Sequence, residues 1–373
     1  MRRLLLLSGS IVFLDTMFFA ALTPLLPHYA DRFELSKAGA GVLAAAYPTG
    51  VLVGALPSGF AAVRFGLKRT AVAALLTMAG TTVAFGFAGS IVVLDAARFA
   101  QGLASACAWT ASLAWLLAAA PRERRGEMIG AALGVAIVGA LFGPVLGGVA
   151  SVTSTRAAFS VVGAGALGLA VWALATHEPP PRPGQSLAVL WRSLHDLRMV
   201  AGIWLVALPA LMFGTLSVLA PLRLAALGFG AVAIGAVYLV SAGFEAAAAP
   251  VLGRVSDRRG RRLPITVGLI ASTAVTVLLP WPPWGGLLAA FVIAAGTCFG
   301  TFWVPAMSLL TDTAEALGLD HAMALALVSL AWAPGQAVGA AAGGSLAHAS
   351  SDAVPYLLLA GACVLTLVAV RRR

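Results

Sequence analysis

Two carboxylates stand inside long apolar stretches of the sequence. Asp15 lies in "FLDTMFF" and Glu245 lies in "AGFEAAAAP". An acid at the centre of a bilayer costs about 2.5–3.5 kcal/mol even on a lenient scale, so such residues usually face a cavity. A carboxylate that is alternately hydrated and buried can exchange a proton for a cation. We expect Asp15 and Glu245 to do this, with Glu245 as the main proton site; the alternative is a structural hydrogen bond from each acid to a neighbouring helix.

Arg98 is a basic residue deep in another apolar stretch, and two polar residues share its helical face. Asp95 precedes it by three positions and Gln101 follows it by three, a spacing that places side chains on one side of a helix. The residues leave two interpretations open. Asp95 and Arg98 neutralise each other, or Arg98 forms an anion-binding site.

Tryptophans within the apolar stretches could stack on a flat or cationic compound. The candidates are Trp109, Trp303 and Trp332, and the alternative is that they serve packing. We find no histidine or aspartate cluster with metal-ligand spacing, no nucleophile elbow and no phosphate-binding G-x4-G-K-[ST] string. The sequence therefore predicts no catalytic residues, no metal, no cofactor and no enzymatic activity.

The elements that must hold these residues are apolar helices of membrane length. Of the 373 residues, 60% are hydrophobic and 10% are charged, whereas soluble domains carry about 25% charged residues. A helix needs about 20 apolar residues to cross the hydrocarbon core. The sequence holds about twelve such runs, at 4–27, 39–62, 70–89, 91–119, 127–150, 157–176, 199–221, 231–253, 264–280, 286–310, 321–345 and 353–370. The predicted fold is an all-α integral membrane protein with twelve transmembrane helices.

Positive charges between the runs predict the orientation of the chain. The net charge is +10, but no soluble domain is present that could offer a basic face to nucleic acid. Loops rich in arginine and lysine stay in the cytoplasm, and counting from a cytoplasmic N-terminus places most of the basic residues on that side. We therefore predict a multi-pass protein of the cell membrane with both termini in the cytoplasm.

The two halves of the chain repeat one pattern at a nearly constant shift. At a shift of 194 the matching pairs are Gly59 and Gly253, Arg64 and Arg258, Gly66 and Gly260, Lys68 and Arg262, and Pro27 and Pro221. At a shift of 196 the glycines at 139, 143, 147 and 148 match those at 335, 339, 343 and 344. Since six spans are an even number, both copies enter the membrane in the same direction, as parallel repeats do. We predict two six-helix bundles, 1–176 and 199–373, related by a pseudo-twofold axis and joined by a cytoplasmic linker at 177–198.

The rise of a helix places both acids near the middle of the membrane. Asp15 lies eleven residues past Leu4, about 16 Å along the helix, and Glu245 lies eight residues before Gly253, about 12 Å from the same side. They come from different repeats, and the interface between repeats is where this architecture binds substrate. We expect both carboxylates to face one water-accessible chamber at that interface.

The topology and the motifs together resemble the major facilitator superfamily of secondary transporters. The loop strings "GFAAVRFGLKR" and "GRVSDRRGRR" are similar to the cytoplasmic loop motif of that family. The stretch "GAALGVAIVGALFGPVLGG" (130–148) is similar to the fifth-span motif of its twelve-span drug:proton antiporter branch, and "RFAQG" (98–102) resembles the fourth-span motif of that branch. "FLDTMFFAALTPLLP" (13–27) resembles the first span of the vesicular amine carriers.

The resemblance implies roles for particular residues. Arg98 would relay the proton or hold the coupling, with Asp95 and Gln101 beside it. The gating loops would comprise Gly59, Arg64, Gly66, Lys68, Gly253, Asp257, Arg258, Gly260 and Arg262, and the fifth-span motif would comprise Gly130, Gly139, Gly143, Pro144, Gly147 and Gly148.

The sequence departs from the family pattern at three positions. Val63 replaces the aspartate of the first loop motif while the second copy keeps Asp257, so the first inward latch is expected to be weak or absent. Trp303 and Ser329 stand where the amine carriers have acids, which argues against monoamine transport.

Glycines at every fourth position predict close helix packing. Helices in lipid associate through van der Waals contact, and small residues let their backbones approach. Gly139, Gly143 and Gly147 form such a ridge, and Pro144 bends the same helix. We expect this ridge to form a seam that suits two bundles that rock against each other; the alternative is ordinary small-residue packing.

These inferences predict a secondary active transporter that exports small amphipathic or cationic compounds in exchange for protons, by alternating access. Its partners would be a small-molecule substrate, protons and the lipid bilayer, without nucleic acid, and we expect a monomer. One alternative is proton-coupled transport of neutral or anionic metabolites such as sugars or amino acids, with Arg98 involved. The other is a membrane protein that does not transport.

Overall fold

A computed structural model describes residues 2–119, 125–178, 193, 195–319 and 321–372. These residues form twelve α-helices, in agreement with the predicted all-α class. The helices are α1 (Arg2–Arg32), α2 (Lys37–Phe65), α3 (Leu67–Phe87), α4 (Ile91–Ala119), α5 (Arg125–Val152), α6 (Thr155–Leu174), α7 (Leu197–Ala226), α8 (Ala231–Arg259), α9 (Arg262–Leu278), α10 (Gly285–Ala316), α11 (His321–Ala349) and α12 (Ala353–Arg372).

Each predicted apolar run corresponds to one helix, and most helices extend beyond the run. Among the described residues, ten helices are long and apolar enough to cross a membrane, and α9 has 17 residues. The twelve-span count therefore stays a prediction. Helix α7 continues through Pro221 to Ala226, because a proline removes one backbone donor without obliging a helix in lipid to end. Most of the predicted linker, 177–198, lies outside the described residues.

Two glycines at the shift of 194 terminate helices in the same way. Gly66 separates α2 from α3 with φ of 93°, and Gly260 separates α8 from α9 with φ of 81°. Only glycine adopts this left-handed region without a steric cost. The two predicted gating loops therefore make the same tight turn between the second and third helices of each half.

The helices group into two compact units by their contacts. One unit comprises Met1–Leu25 and Ala46–Gly184, and the other comprises Leu26–Ala45 and Gln185–Arg373. The end of α1 and the start of α2 thus pack with the helices of the second half. This grouping follows contacts and does not define where one repeat ends, so the domain boundaries at 176 and 199 stay a prediction.

The glycine ridge of α5 packs against α1. A Cβ built on Gly139 would lie 3.1 Å from Cα of Phe13, and one on Gly143 would lie 2.7 Å from the carbonyl oxygen of Met17. One on Gly147 would lie 3.3 Å from the carbonyl carbon of Ala21. The backbones approach closely because the ridge has no side chains. The partner is a helix of the same unit, so these contacts belong to packing inside one bundle, where the sequence had suggested a seam between bundles.

The matching ridge of α11 packs against α7 in the same register. A Cβ on Gly335 would lie 2.5 Å from the Ala207 carbonyl oxygen, and one on Gly339 would lie 2.9 Å from Cα of Leu211. These partners stand 194 positions after Phe13 and Met17, the partners of the α5 ridge. The repeat that the glycines indicated in sequence is therefore also present in how each unit packs its fifth helix on its first.

Two members of the fifth-span motif stand apart from the ridge. A Cβ on Gly130 would have no neighbour within 4 Å. Pro144 lies inside α5, which runs without interruption to Val152. The contacts of the motif are therefore made by its glycines nearest to the end of the helix.

Candidate functional site

One face of α4 carries a row of polar residues towards α1 and α2. Arg98, Gln101, Ser105 and Trp109 follow each other at intervals of three or four positions, so they lie along one side of the helix. The first three are buried and Trp109 is half-buried. The sequence identified Arg98, Gln101 and Trp109 as candidates and missed Ser105, although its helical spacing from Gln101 was a signal for it.

Asp15 of α1 accepts hydrogen bonds from three side chains. The hydroxyl of Tyr47 donates to Oδ1 at 2.8 Å, while Ser105 Oγ and Trp109 Nε1 both donate to Oδ2 at 2.8 Å. Asp15 is only 2% exposed. Buried polar groups are costly unless they are hydrogen-bonded, and this carboxylate is bonded through both oxygens. We call Asp15, Tyr47, Arg98, Gln101, Ser105 and Trp109 the Asp15 cluster.

Arg98 fills an aromatic pocket within this cluster. Its guanidinium carbon lies 4.8 Å from the centroid of the Tyr47 ring and 5.5 Å from that of Phe18. Phe19 and Phe85 add two more rings, each at 5.9 Å. Arg98 also donates to Gln101 Oε1 at 3.5 Å and to the carbonyl oxygen of Phe19 at 3.3 Å. Rings within about 6 Å of a cation attract it electrostatically, so the pocket stabilises a charge that is 1% exposed.

Close packing of α2 on α4 brings Tyr47 into this position. A Cβ on Gly102 would overlap the carbonyl oxygen of Tyr47 and would lie 2.9 Å from Cα of Gly50. The glycine of "RFAQG" therefore allows backbone contact between the two helices. Tyr47 then reaches Asp15 with its hydroxyl and Arg98 with its ring.

Asp95 does not join the Asp15 cluster. It is half-buried, and among the described residues no hydrogen bond reaches its Oδ1, which is itself buried. The hydrogen bonds described for Arg98 go to Gln101 and Phe19. The arginine turns towards α1 and α2, and its neutralisation by Asp95 stays a prediction.

Glu245 of α8 has different surroundings. It is half-buried and lies against the backbone of α10, where a Cβ on Gly300 would come within 2.7 Å of its Cγ and 2.9 Å of Oε1. No hydrogen bond to its carboxylate is found in the described part of the chain. One turn earlier, Ser241 lies against Gly296, and these two residues stand 194 positions after Tyr47 and Gly102. The second unit thus repeats the close helix contact, with Ser241 at the position that corresponds to Tyr47.

The remaining aromatic candidates lie on α10 and α11. Trp303 and Trp332 are both half-buried, and their role in stacking stays a prediction. Trp281 and Trp284, in the turn before α10, are 61% and 60% exposed. Trp109 has a polar role through the hydrogen bond that its Nε1 donates to Asp15.

The two gating loops are held by different acids. In the first loop, Val63 is exposed and the backbone N–H of Lys68 donates to Oε1 of Glu178 at 3.1 Å. A carboxylate that follows α6 therefore interacts with the start of α3, a contact that the sequence did not reveal. In the second loop, Arg261 forms an ion pair with Asp312. The side chain of Asp257 lies outside the described residues.

The other loop residues have open surroundings. Cβ atoms built on Gly59 and Gly253 would meet nothing within 4 Å, and Arg64 and Arg258 are exposed. Arg262 is the first residue of α9. The gating role of these residues stays a prediction.

Asp15 and Glu245 belong to different compact units. That both acids lie near the middle of the membrane stays a prediction. The prediction that the two acids share a chamber stays a prediction.

Comparison with known proteins establishes the class to which this fold belongs. The sequence model of the Major Facilitator Superfamily matches residues 9–319 and again residues 210–373. The chain belongs to this superfamily of membrane transporters. It is therefore a membrane-embedded transporter of small molecules, and the family supports a role other than that of an enzyme.

Relatives and solved structures agree with this assignment. An uncharacterized MFS-type transporter of Yersinia pestis is 26% identical over 393 aligned positions, covering 99% of this chain and 95% of that protein. The MFS-type transporter ppzB of Metarhizium rileyi is 31% identical over 143 residues, which cover 37% of this chain and 30% of that protein.

Two solved structures share the fold across nearly the whole chain. The xylose transporter XylE from E. coli superposes with a TM-score of 0.77 at 16% identity, covering 98% of this chain and 96% of XylE. The nucleoside transporter NupG also gives 0.77, at 13% identity, covering 99% of this chain and 98% of NupG. Identities this low establish the fold and leave the substrate to be argued from the site.

Proposed function

We propose that this chain exports small amphipathic or cationic compounds in exchange for protons, with Glu245 as the carboxylate that alternately holds the proton and the cation. The proposal places the chain with the drug:proton antiporters of its superfamily. It includes a monomeric protein in the cell membrane with both termini in the cytoplasm. The observation that carries it is the contrast between the surroundings of the two intramembrane acids.

Glu245 has the freedom that exchange requires. A carboxylate with no committed donor can release a proton and accept a cation without first losing other bonds, since the cost of breaking a buried hydrogen bond is about 1–3 kcal/mol. Glu245 lies in the middle of α8 against glycine backbone, half-buried and without a described hydrogen bond. Because a proton and a monovalent cation carry the same charge, one carboxylate cannot balance both at once, and their competition couples the two fluxes.

Asp15 supports a different role. Three donors fix its carboxylate, and its electrostatic partner is Arg98. We infer that the Asp15 cluster positions Tyr47 and Trp109, whose rings offer surfaces for stacking. Arg98, Gln101 and Asp95 then affect coupling through this cluster or through the net charge of their helix.

The pH difference across the membrane supplies the energy for export. Exchange of one proton for one monovalent cation moves no net charge, so the membrane potential does not drive it. Each unit of pH difference provides about 1.4 kcal/mol, which corresponds to a tenfold concentration ratio of the cation.

Anionic or neutral metabolites are less well supported as substrates. In that alternative Arg98 would bind the substrate, but Arg98 is 1% exposed and already lies among four aromatic rings with two hydrogen bonds. An anion would have to displace these contacts. XylE and NupG, whose names specify a sugar and a nucleoside, share only the fold with this chain.

Replacement of Glu245 by glutamine is expected to abolish proton release that depends on substrate. In everted vesicles with an acidic lumen, addition of tetraphenylphosphonium should release protons from the lumen with the wild-type chain, as reported by a pH-sensitive dye inside. Glutamine has the same shape but cannot bind and release a proton in exchange for a cation, so the signal should fall at least tenfold.

The matched control is Asp31→Asn, the same acid-to-amide change at an exposed residue near the end of α1, which should leave the signal unchanged. A sugar or a nucleoside added in place of the cation should give no proton release. Full exchange by Glu245→Gln would contradict the assignment of the proton site. A wild-type response to sugar but not to the cation would favour the metabolite alternative.

A further inference from the structure

An apolar groove lies between α7, α11 and α12, with a volume of about 170 Å³. Leu211 and Thr215 of α7 form its floor, where Leu211 is half-buried and Thr215 is buried. Val338 of α11 and Leu358 of α12 also line it and are 52% and 59% exposed, so the groove opens on the surface of the chain. Thr215 is the one polar side chain in the described lining, and its hydroxyl donates to the carbonyl oxygen of Gly339 at 2.8 Å. The lining therefore suits an apolar ligand.

Small residues of α11 create this groove. A Cβ on Gly339 would lie 2.9 Å from Cα of Leu211, and one on Gly343 would lie 2.9 Å from Cγ2 of Thr215. The glycines thus bring the backbone of α11 close to α7. Ala342, which stands between them in sequence, lines the groove with a single methyl group. The space beside α12 is left open because α11 has little side-chain volume there.

The repeat shows which side chains the groove lacks. At the shift of 196, Val338 corresponds to Phe142 and Ala342 to Leu146. The first unit therefore has a larger side chain at both positions. These two substitutions between the repeats indicate how the groove can be filled without adding a residue that is foreign to this helix position.

The length of the groove matches one leaflet of a bilayer. On α11 the lining extends from Val338 to Leu346, about 12 Å at 1.5 Å per residue, and on α12 it extends from Pro355 to Ala362, about 10 Å. Half of the hydrocarbon core is about 15 Å thick. Since Pro355 lies close to the start of α12 at Ala353, the groove runs from that end of the helix to about the middle of the membrane.

Size and charge decide between the possible occupants. A helix with its side chains is about 10 Å wide, so a helix from a second copy of the chain is too wide for a groove of about 170 Å³. A cationic compound would need a counter-charge, and the described lining contains no acid. A hydrocarbon chain is narrow and needs no polar partner. Lipid already surrounds the exposed rim, because this surface belongs to helices of a membrane-embedded protein.

We propose that the groove binds one acyl chain of a phospholipid from the leaflet that lies away from the C-terminus, which is the outer leaflet in the predicted orientation. An empty groove would lose van der Waals contacts along its walls, and helices in lipid are held together by such contacts. The acyl chain fills the space beside Val338 and Ala342 and holds α12 against α7 and α11. The site is separate from Glu245 and does not depend on the proposed antiport.

A phospholipid with a photoactivatable diazirine in the middle of one acyl chain would locate the bound chain. In nanodiscs that contain this lipid, illumination should label the segment of α7 around Leu211, which lies beneath the exposed rim, as detected by mass spectrometry of peptides. Val338→Phe with Ala342→Leu should abolish this label, because the added atoms fill the groove. The matched control is Ala164→Leu, the same alanine-to-leucine change at an exposed position of α6, which should keep the label.

Filling the groove after folding gives a second measurement. Ala342→Cys, in a background without the three native cysteines, should lose the label on α7 when the folded protein reacts with hexyl methanethiosulfonate, and reduction should restore it. The lipid site would be overturned if the wild-type chain carried no label around Leu211 or if the filled groove kept it. Displacement of the label by tetraphenylphosphonium would also overturn it and would assign the groove to the substrate.

Discussion

Replacing Arg98 with leucine is expected to lower the free energy of unfolding by about 3–5 kcal/mol, the cost of removing one partner from a buried pair of charges. Arg98 is 1% exposed and Asp15 is 2% exposed, and the two interact electrostatically. Leucine would leave the Asp15 carboxylate buried without its counter-charge. It would also remove the hydrogen bonds to Gln101 and Phe19.

The effect can be measured by thermal melting in detergent and by the yield of folded protein. Arg98→Lys should recover only part of the loss, because an ammonium group cannot stack on four rings as a planar guanidinium does. Arg98→Leu combined with Asp15→Asn should be more stable than Arg98→Leu alone, since the uncompensated charge is then absent. Arg156→Leu changes an arginine that is exposed and is expected to stay within about 0.5 kcal/mol of wild type. A wild-type melting temperature for Arg98→Leu would contradict the buried pair.

Replacing Gly102 with valine is expected to cost about 3 kcal/mol or more, at the upper end of overpacking penalties. The first atom added would overlap the carbonyl oxygen of Tyr47 and lie 2.8 Å from the backbone nitrogen of Val51. Both are backbone atoms, so the clash can be relieved only by moving α2 away from α4. That movement would carry the Tyr47 hydroxyl away from Asp15.

The matched control for this prediction is the same substitution at Gly80 of α3, where an added Cβ would have no neighbour within 4 Å. Because valine is a better helix former than glycine, Gly80→Val should melt at or slightly above the wild-type temperature. Melting curves of the two variants in one detergent provide the comparison. Equal melting temperatures would mean that the contact of α2 with α4 does not limit stability.

The glycines show how far local sequence reasoning reaches in this protein. Their spacing in α5 predicted a close helix contact, and the structure shows one for Gly139, Gly143 and Gly147. The partner was not predicted, since a smooth ridge fits any helix that offers small residues. The identity of the partner depends on the arrangement of all the helices in the unit, and here it is α1.

The Asp15 cluster likewise combines residues that the sequence identified with residues that it missed. The sequence identified Asp15 and Arg98 because a charge in an apolar helix is conspicuous. It missed Tyr47, whose hydroxyl bonds to Asp15 across 32 positions of sequence. Tyrosine is apolar enough to pass as a packing residue, so nothing local distinguishes it. The aromatic pocket of Arg98 was missed for the same reason.

The sequence by itself determined the helical membrane class and the repeated glycine motifs, and it singled out Asp15 and Glu245, because hydropathy, glycine spacing and isolated charges are properties of single segments. The tertiary structure alone decided that Asp15 is bonded through both oxygens, whereas the described residues give the Glu245 carboxylate no hydrogen bond. It also decided that Glu178 interacts with the start of α3 and that Lys37 forms an ion pair with Asp352. In helices that are apolar on every side, the hydrophobic residues show almost no periodicity that could indicate which face packs against which neighbour. The contacts between their polar groups are therefore set by how the helices pack.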